Sequence, residues 1–171
     1  MRDNFSKCLA LVLQSEGGFV NNKYDPGGMT NLGVTKATYE RWINAPVTEA
    51  QMRALTPHDV EPIYREWYWD RVRGDDLPVG IDYCVFDLAV NSGVGTAIRM
   101  LQDAVGTVPD GKFGPLSMAA VEKADPRRLV NTMQALRLQY LRKISTWPVF
   151  GKGWVRRVQE VTQNALAMMQ P

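Results

Sequence analysis

The sequence has one histidine and two cysteines in 171 residues, and these scarcities remove several kinds of chemistry at once. A zinc amidase or peptidase typically draws on two or more histidine ligands, and the two cysteines do not sit at metal-binding spacing. His58 stands next to a proline at a helix start, and a Cys–His nucleophile would require it to meet Cys8 or Cys84. Both cysteines lie in apolar strings, Lys-Cys-Leu-Ala-Leu-Val and Asp-Tyr-Cys-Val-Phe, and read as small buried hydrophobes, not as a disulfide framework. A Gly-x-Ser-x-Gly elbow, a phosphate-cradling glycine loop and a dinucleotide fingerprint are all missing. The longest apolar run near the N-terminus, Cys8 to Leu13, is shorter than a signal-peptide core and far shorter than a bilayer span. The expectation is a chain made and kept in a cytosol, so that a substrate outside would need another route to be opened. For an enzyme, what remains is chemistry run by carboxylates, with no metal and no cofactor.

What is present is an ordinary globular balance, 45% hydrophobic and 22% charged residues. The length suits one compact domain or a catalytic core with a small fused lobe. A chain of this size buries roughly 70% of its unfolded surface without help from disulfides. The net charge of +2 conceals an asymmetry. From Arg127 to Pro171 there are eight Lys/Arg and one acid, Glu160, while the remainder carries 12 bases and 17 acids. A cationic C-terminal third points to an anionic partner, such as a cell envelope, or equally to a solvated helix face.

Periodicity predicts a mainly α protein. Phe5, Cys8, Leu9, Val12 and Leu13 mark a first helix that Gly17-Gly18 should stop. Residues 19–31 turn to Asn, Asp, Gly, Pro and Thr, the texture of an irregular loop or short hairpin. Helices are expected over about Lys36 to Ile43, after a Thr48/Gln51 capping box, and after Thr56-Pro57 with Val60, Ile63, Tyr64, Trp67 and Tyr68 inward. Pro78 opens another, with Ile81, Val85, Leu88 and Ala89 on one face, closed by Asn91-Ser92-Gly93. A short helix near Thr96 to Val105 follows. Asp125-Pro126 starts a long one with Leu129, Val130, Met133, Leu136, Tyr140 and Ile144 inward. After a break at Trp147-Pro148, a last helix is expected from near Trp154 to Met168.

Glu16 is the last residue before the Gly17-Gly18 stop. A carboxylate there faces the negative end of the helix dipole, which disfavours ionisation and suits a proton donor for glycoside hydrolysis. Position alone fits a solvated last-turn glutamate as well. Asp25 and Thr30 would supply a second carboxylate and a hydroxyl to hold a water, as an inverting glycosidase needs, or Asp25 simply caps an Asp-Pro-Gly-Gly turn. Asp87 and Asn91, one turn apart, line either a sugar cleft or an exposed polar face. The aromatic set Tyr64, Trp67, Tyr68 and Trp69 surrounds one helix, so part of it is core and part is available to stack on sugars.

The string Glu16-Gly17-Gly18-Phe19-Val20-Asn21, with Asp25-Pro26-Gly27-Gly28-Met29-Thr30-Asn31-Leu32-Gly33-Val34-Thr35, closely resembles the signature of glycoside hydrolase family 108, the N-acetylmuramidases of phages and prophages. The resemblance continues through Tyr68-Trp69, Leu77-Pro78 and the run Asp87, Val90, Asn91, Ser92, Gly93. Leu101-Gln102 with Asp110-Gly111-Lys112-Phe113-Gly114-Pro115, and Gly153-Trp154 with Arg156-Arg157-Val158, resemble the peptidoglycan-binding-type segment that accompanies these enzymes. Met29 and Ser117 depart from the pattern. The spacing of Glu16, Asp25 and Thr30 is also similar to the Glu–Asp–Thr triad of the T-even phage lysozymes, with one residue fewer between Asp and Thr.

The resemblance implies a lysozyme-like helical fold with a small irregular or β-hairpin loop after the first helix, a catalytic region over 1–93 and a peptidoglycan-binding-like helical segment over 94–171 packed onto it. It implies an endolysin that hydrolyses the β-1,4 bond between N-acetylmuramic acid and N-acetylglucosamine. Glu16 is then the general acid, Asp25 and Thr30 the water-holders, and Tyr24, Asn31, Tyr68, Asp87 and Asn91 the substrate contacts. The expected partner is the peptidoglycan glycan strand, with the basic C-terminal helices meeting an anionic envelope. The expected state is a monomer in the host cytoplasm that reaches the wall after holin-type release. Two rivals are a non-catalytic envelope-binding phage protein and a lytic transglycosylase on the same scaffold. Nucleic-acid binding is not expected, because no recognition motif accompanies the basic charge.

Overall fold

The computed structural model describes residues 4–22, 24 and 27–170. Helix α1 (Asn4–Glu16) buries Phe5, Cys8, Leu9 and Val12 on one face and stops at Gly17, whose φ of +76° suits a residue without a side chain. A three-stranded antiparallel sheet follows, β1 (Val20–Asn21), β2 (Met29–Asn31) and β3 (Val34–Thr35), in that order. The β2–β3 turn has only Leu32 and Gly33 between its paired ends, both at positive φ, the backbone that a tight hairpin demands.

Local capping chemistry fixes the next helices. Thr35 caps α2 (Lys36–Ile43), the Thr48/Gln51 box caps α3 (Glu49–Arg53), and Thr56 with Asp59 starts α4 (Pro57–Tyr64). Helix α4 then widens into a π-helical turn, Arg65–Trp69, with the Asp70 N–H donating to the Arg65 carbonyl at 2.9 Å. One extra residue in the turn moves the inward position on by one. Trp69, 1% exposed, therefore enters the core edge-on to Phe5 and Phe86, while Trp67 and Tyr68, expected inward, are half-buried.

Helix α5 (Ile81–Ser92) is the central element, with every residue from Ile81 to Ala89 buried. Its start is tied to α1: the Asp82 carboxylate accepts from the backbone N–H groups of Gly80 and Tyr83 and from the Asn4 amide at 2.6 Å. Gly93 ends it, and α6 (Val94–Val105) begins at once.

Three further helices complete the described chain: α7 (Pro115–Lys123), α8 (Pro126–Arg142) and α9 (Trp147–Met168). Helix α7 is not among the sequence expectations. Helix α9 runs unbroken through Pro148, because proline in the first turn forfeits no intrahelical bond. Along α8, Leu129, Val130 and Met133 face inward as expected, but Tyr140 is 38% exposed and Gln134, Arg137 and Leu141 are the buried positions of its last turns. Helices α8 and α9 pack on each other and both pack on α5. One core thus runs from Phe5 through Phe86 to Ala165. Cys8 and Cys84 are free and completely buried, and burial pushes the Cys84 thiol up to about 12. No helix among the described residues is long and apolar enough to cross a membrane.

Candidate active site

Glu16 ends α1 where the sheet folds back on the helices, and the hairpin turn lies directly on its side chain. A methyl group at Gly33 would collide with the Tyr64 hydroxyl and stand 2.9 Å from Glu16 Cγ. The Tyr64 hydroxyl in turn donates to the Leu32 carbonyl at 2.7 Å, pinning the turn to α4. Beyond the stop, added side chains at Gly17 or Gly18 would meet nothing within 4 Å, so the approach to Glu16 from that side is open.

The carboxylate of Glu16 is held by a cation from the far end of the chain. Arg157 Nη2, on α9, donates to Glu16 Oε1 at 2.8 Å and to Asp87 Oδ1 at 3.0 Å, while its Nε approaches both Asp87 oxygens. Asp87 Oδ2 lies 2.7 Å from Arg137 Nη1. The result is a line of alternating charges, Glu16–Arg157–Asp87–Arg137, that runs from a partly exposed carboxylate into the core. Asp87 and Arg137 are 0% and 1% exposed, which such charges tolerate only when paired. Burial works against the Arg157 charge, but the carboxylates of Asp87 and Glu16 outweigh it and hold the guanidinium above its ordinary range. The helix-end position of Glu16 gave no sign of this ion pair.

Tyr68 stands in the same electrostatic neighbourhood. Burial raises its hydroxyl, the negative charge of Glu16 adds to the shift, and Arg41 opposes it. A groove of about 440 Å³ lined by Arg41, Trp67, Tyr68 and Arg71 adjoins. The Arg41 guanidinium lies 4.4 Å over the Trp67 ring, and Trp42 packs edge-on against that ring at 5.6 Å. The groove therefore offers aromatic faces and cations beside Glu16.

The other expected site residues take varied places. Asp25 lies outside the described residues. Thr30 is half-buried in the middle of β2, paired across to Val20 and Thr35. Tyr24 is 95% exposed. Two expected sugar contacts take structural places instead. Asn31 is buried and gives its amide to the Met52 and Arg53 carbonyls at 2.8 and 3.4 Å, strapping the sheet to α3. Asp87 has no surface to offer a sugar and serves as the buried anchor of Arg157. Asn91 remains exposed, its side-chain oxygen accepting from Arg137 Nη2 at 3.4 Å.

Sequence reasoning missed Arg137, Arg157, Arg41, Arg71 and Tyr64 as parts of the site. A signal for the first two was present: a carboxylate inside the apolar run of α5 requires a buried cation somewhere in the fold.

Comparison with known proteins places this arrangement. Residues 9–93 match the family described as Glycosyl hydrolase 108, and residues 96–159 match one described as Predicted Peptidoglycan domain. The solved structure described as "Structure of Brucella abortus SagA" is 42% identical, with a TM-score of 0.88, over 100% of this chain and 98% of that one. No curated protein sequence matches. The chain belongs to glycosyl hydrolase family 108 and has the mainly helical, lysozyme-like fold expected from its sequence. It is a glycoside hydrolase that acts on peptidoglycan.

Proposed function

We propose that the protein is a muramidase of endolysin type, hydrolysing the β-1,4 bond between N-acetylmuramic acid and N-acetylglucosamine with Glu16 as general acid. The observation that carries this reading is the placement of Glu16. It is a partly exposed carboxylate at the end of a rigid helix, walled by the Leu32–Gly33 turn, with open space beyond Gly17 and Gly18, and its charge reaches Tyr68 in the wall of an aromatic groove. A glycosidic oxygen entering there meets a group fixed in position before binding, and positioning of this kind is a large part of catalysis.

In this reading Arg157 acts as a positioning residue. It orients the Glu16 side chain and is itself fixed by Asp87. In the acid step Glu16 starts protonated: it gives its proton to the leaving oxygen as the glycosidic bond breaks, and Arg157 steadies the carboxylate that results. Asp25 takes the proton of the attacking water, and exchange with solvent returns both carboxyls to their starting states. Asp25 and Thr30 hold the attacking water on the opposite face of the sugar ring. Tyr68 and Trp67 offer faces for adjacent rings, with Tyr24 and Asn91 at the margin. The bond specificity is tested by mass analysis of digested peptidoglycan. Reducing N-acetylmuramic acid ends support a muramidase, reducing N-acetylglucosamine ends mean the other glycosidic bond is cut, and anhydro-muramic ends mean transglycosylation.

A further inference from the structure

A second concavity of about 440 Å³ opens between α6 and α8, on elements other than those that carry Glu16. Met100 and Leu136 supply apolar surface, Pro109 and Tyr140 contribute to the walls, and Arg99 and Lys143 bring two cations against one acid, Asp103. Among the described residues, neither Arg99 nor Lys143 pairs with a carboxylate.

Arg99 lies against a tightly bonded turn. Gln102, 1% exposed, shares its amide hydrogens among Asp110 Oδ1, the Lys112 carbonyl and Ser117 Oγ at 2.9–3.1 Å, and its oxygen accepts from the Gly111 N–H at 2.9 Å. One buried glutamine thus sets the Asp110–Pro115 turn. Gly111, at a φ of +77°, and Gly95 flank the Arg99 guanidinium so closely that a methyl group on either would stand 3.1 or 3.3 Å from it. The two glycines leave room for the guanidinium of Arg99, a surface cation with no carboxylate partner among the described residues.

Peptidoglycan offers two chemistries: N-acetylated sugar rings, which are neutral, and short peptides, which combine carboxylates with methyl-bearing side chains. Two cations without a carboxylate partner among the described residues, beside an apolar floor, match the second. We propose that the α6–α8 groove binds the peptide stem of peptidoglycan, with Arg99 and Lys143 taking its carboxylates and Met100, Leu136 and Tyr140 its alanyl groups. This rests on peptidoglycan as the substrate and not on the role of Glu16. It gives the enzyme a grip on the peptide separate from the cleft that holds the glycan.

The test is calorimetric titration of the full chain with the tetrapeptide L-alanyl-γ-D-glutamyl-diaminopimelyl-D-alanine. Saturable binding that weakens with added NaCl, falls at least ten-fold in the double variant R99Q/K143Q, and persists in Glu16→Gln supports the groove. Amide shifts in nuclear magnetic resonance spectra of the wild type, centred on Met100 and Tyr140, support it even where the double variant folds poorly. Absence of saturable binding, binding indifferent to the double variant in its folded form, or shifts centred on Tyr68 would overturn it. So would equal displacement of the tetrapeptide by neutral N-acetylglucosamine oligomers. Loss of wall cleavage in Glu16→Gln with retained tetrapeptide binding separates this inference from the catalytic reading.

Discussion

Arg157 and Glu16 stand 141 residues apart in the chain and meet at 2.8 Å, so the last helix completes a site that the first helix begins. The same guanidinium reaches the fully buried Asp87, and neither contact is available to a fragment that ends with α5. The Glu16–Arg157–Asp87 contacts therefore draw on both matched segments, 9–93 and 96–159.

If Arg157 positions Glu16, Arg157→Gln lowers kcat/KM on peptidoglycan by about a hundredfold, the scale at which misplacement of a reacting group is felt. Arg157→Lys recovers only part of this, because one ammonium cannot reproduce the forked contacts to two carboxylates. Steady-state assays of both variants, with circular dichroism to confirm folding, check the ordering wild type, Lys, Gln.

Asp87→Asn leaves Arg137, 1% exposed, without a counter-charge. Breaking such a pair from one side costs about 3–5 kcal/mol. Urea denaturation should show a loss of that size with an unchanged slope. A loss below about 1 kcal/mol would mean that Arg137 finds water or another partner.

The hairpin turn should be far less tolerant than Gly18, just past the helix stop. Gly33→Ala combines a left-handed φ, costing about 1–2 kcal/mol, with a collision against the Tyr64 hydroxyl. Activity and thermal stability fall together. Gly18→Ala meets open space and should stay within about 0.5 kcal/mol of wild type.

The Asp110 turn responds to acid. The backbone N–H of Lys112 and then the Gln102 amide hold the Asp110 carboxyl below the usual carboxylate range. Its folded midpoint is thus lower than its unfolded one. The stability it adds is complete above the ordinary aspartate range and is lost as pH falls through the lowered midpoint. A carboxyl titration followed by nuclear magnetic resonance should show this midpoint rising in Gln102→Ala.

What was legible in the sequence was whatever local chemistry decides. The Thr48/Gln51 and Thr56-Pro57 starts, the α1 face and the Gly17 stop involve residues within one or two turns of each other. The misses follow from the same boundary. Pro148 looks like a break until its place in the first turn is known, and the π turn that swings Trp69 inward is set by packing on Phe5 and Phe86. Within the site, Glu16 stood out because its helix-end position is local, whereas its partner Arg157 comes from α9. Asn31 and Asp87 read as polar and therefore as surface, yet the fold spends both on buried bonds that hold other parts in place.

Glu16→Gln, compared with wild type on the same purified peptidoglycan, is the most direct test of the proposed chemistry. The substitution keeps shape and hydrogen-bonding capacity while removing the transferable proton. Mass analysis should find reducing N-acetylmuramic acid ends in the wild-type digest and none above background in the variant. Wild-type levels of those ends from a folded Glu16→Gln protein would contradict Glu16 as the acid and move the chemistry to another carboxylate.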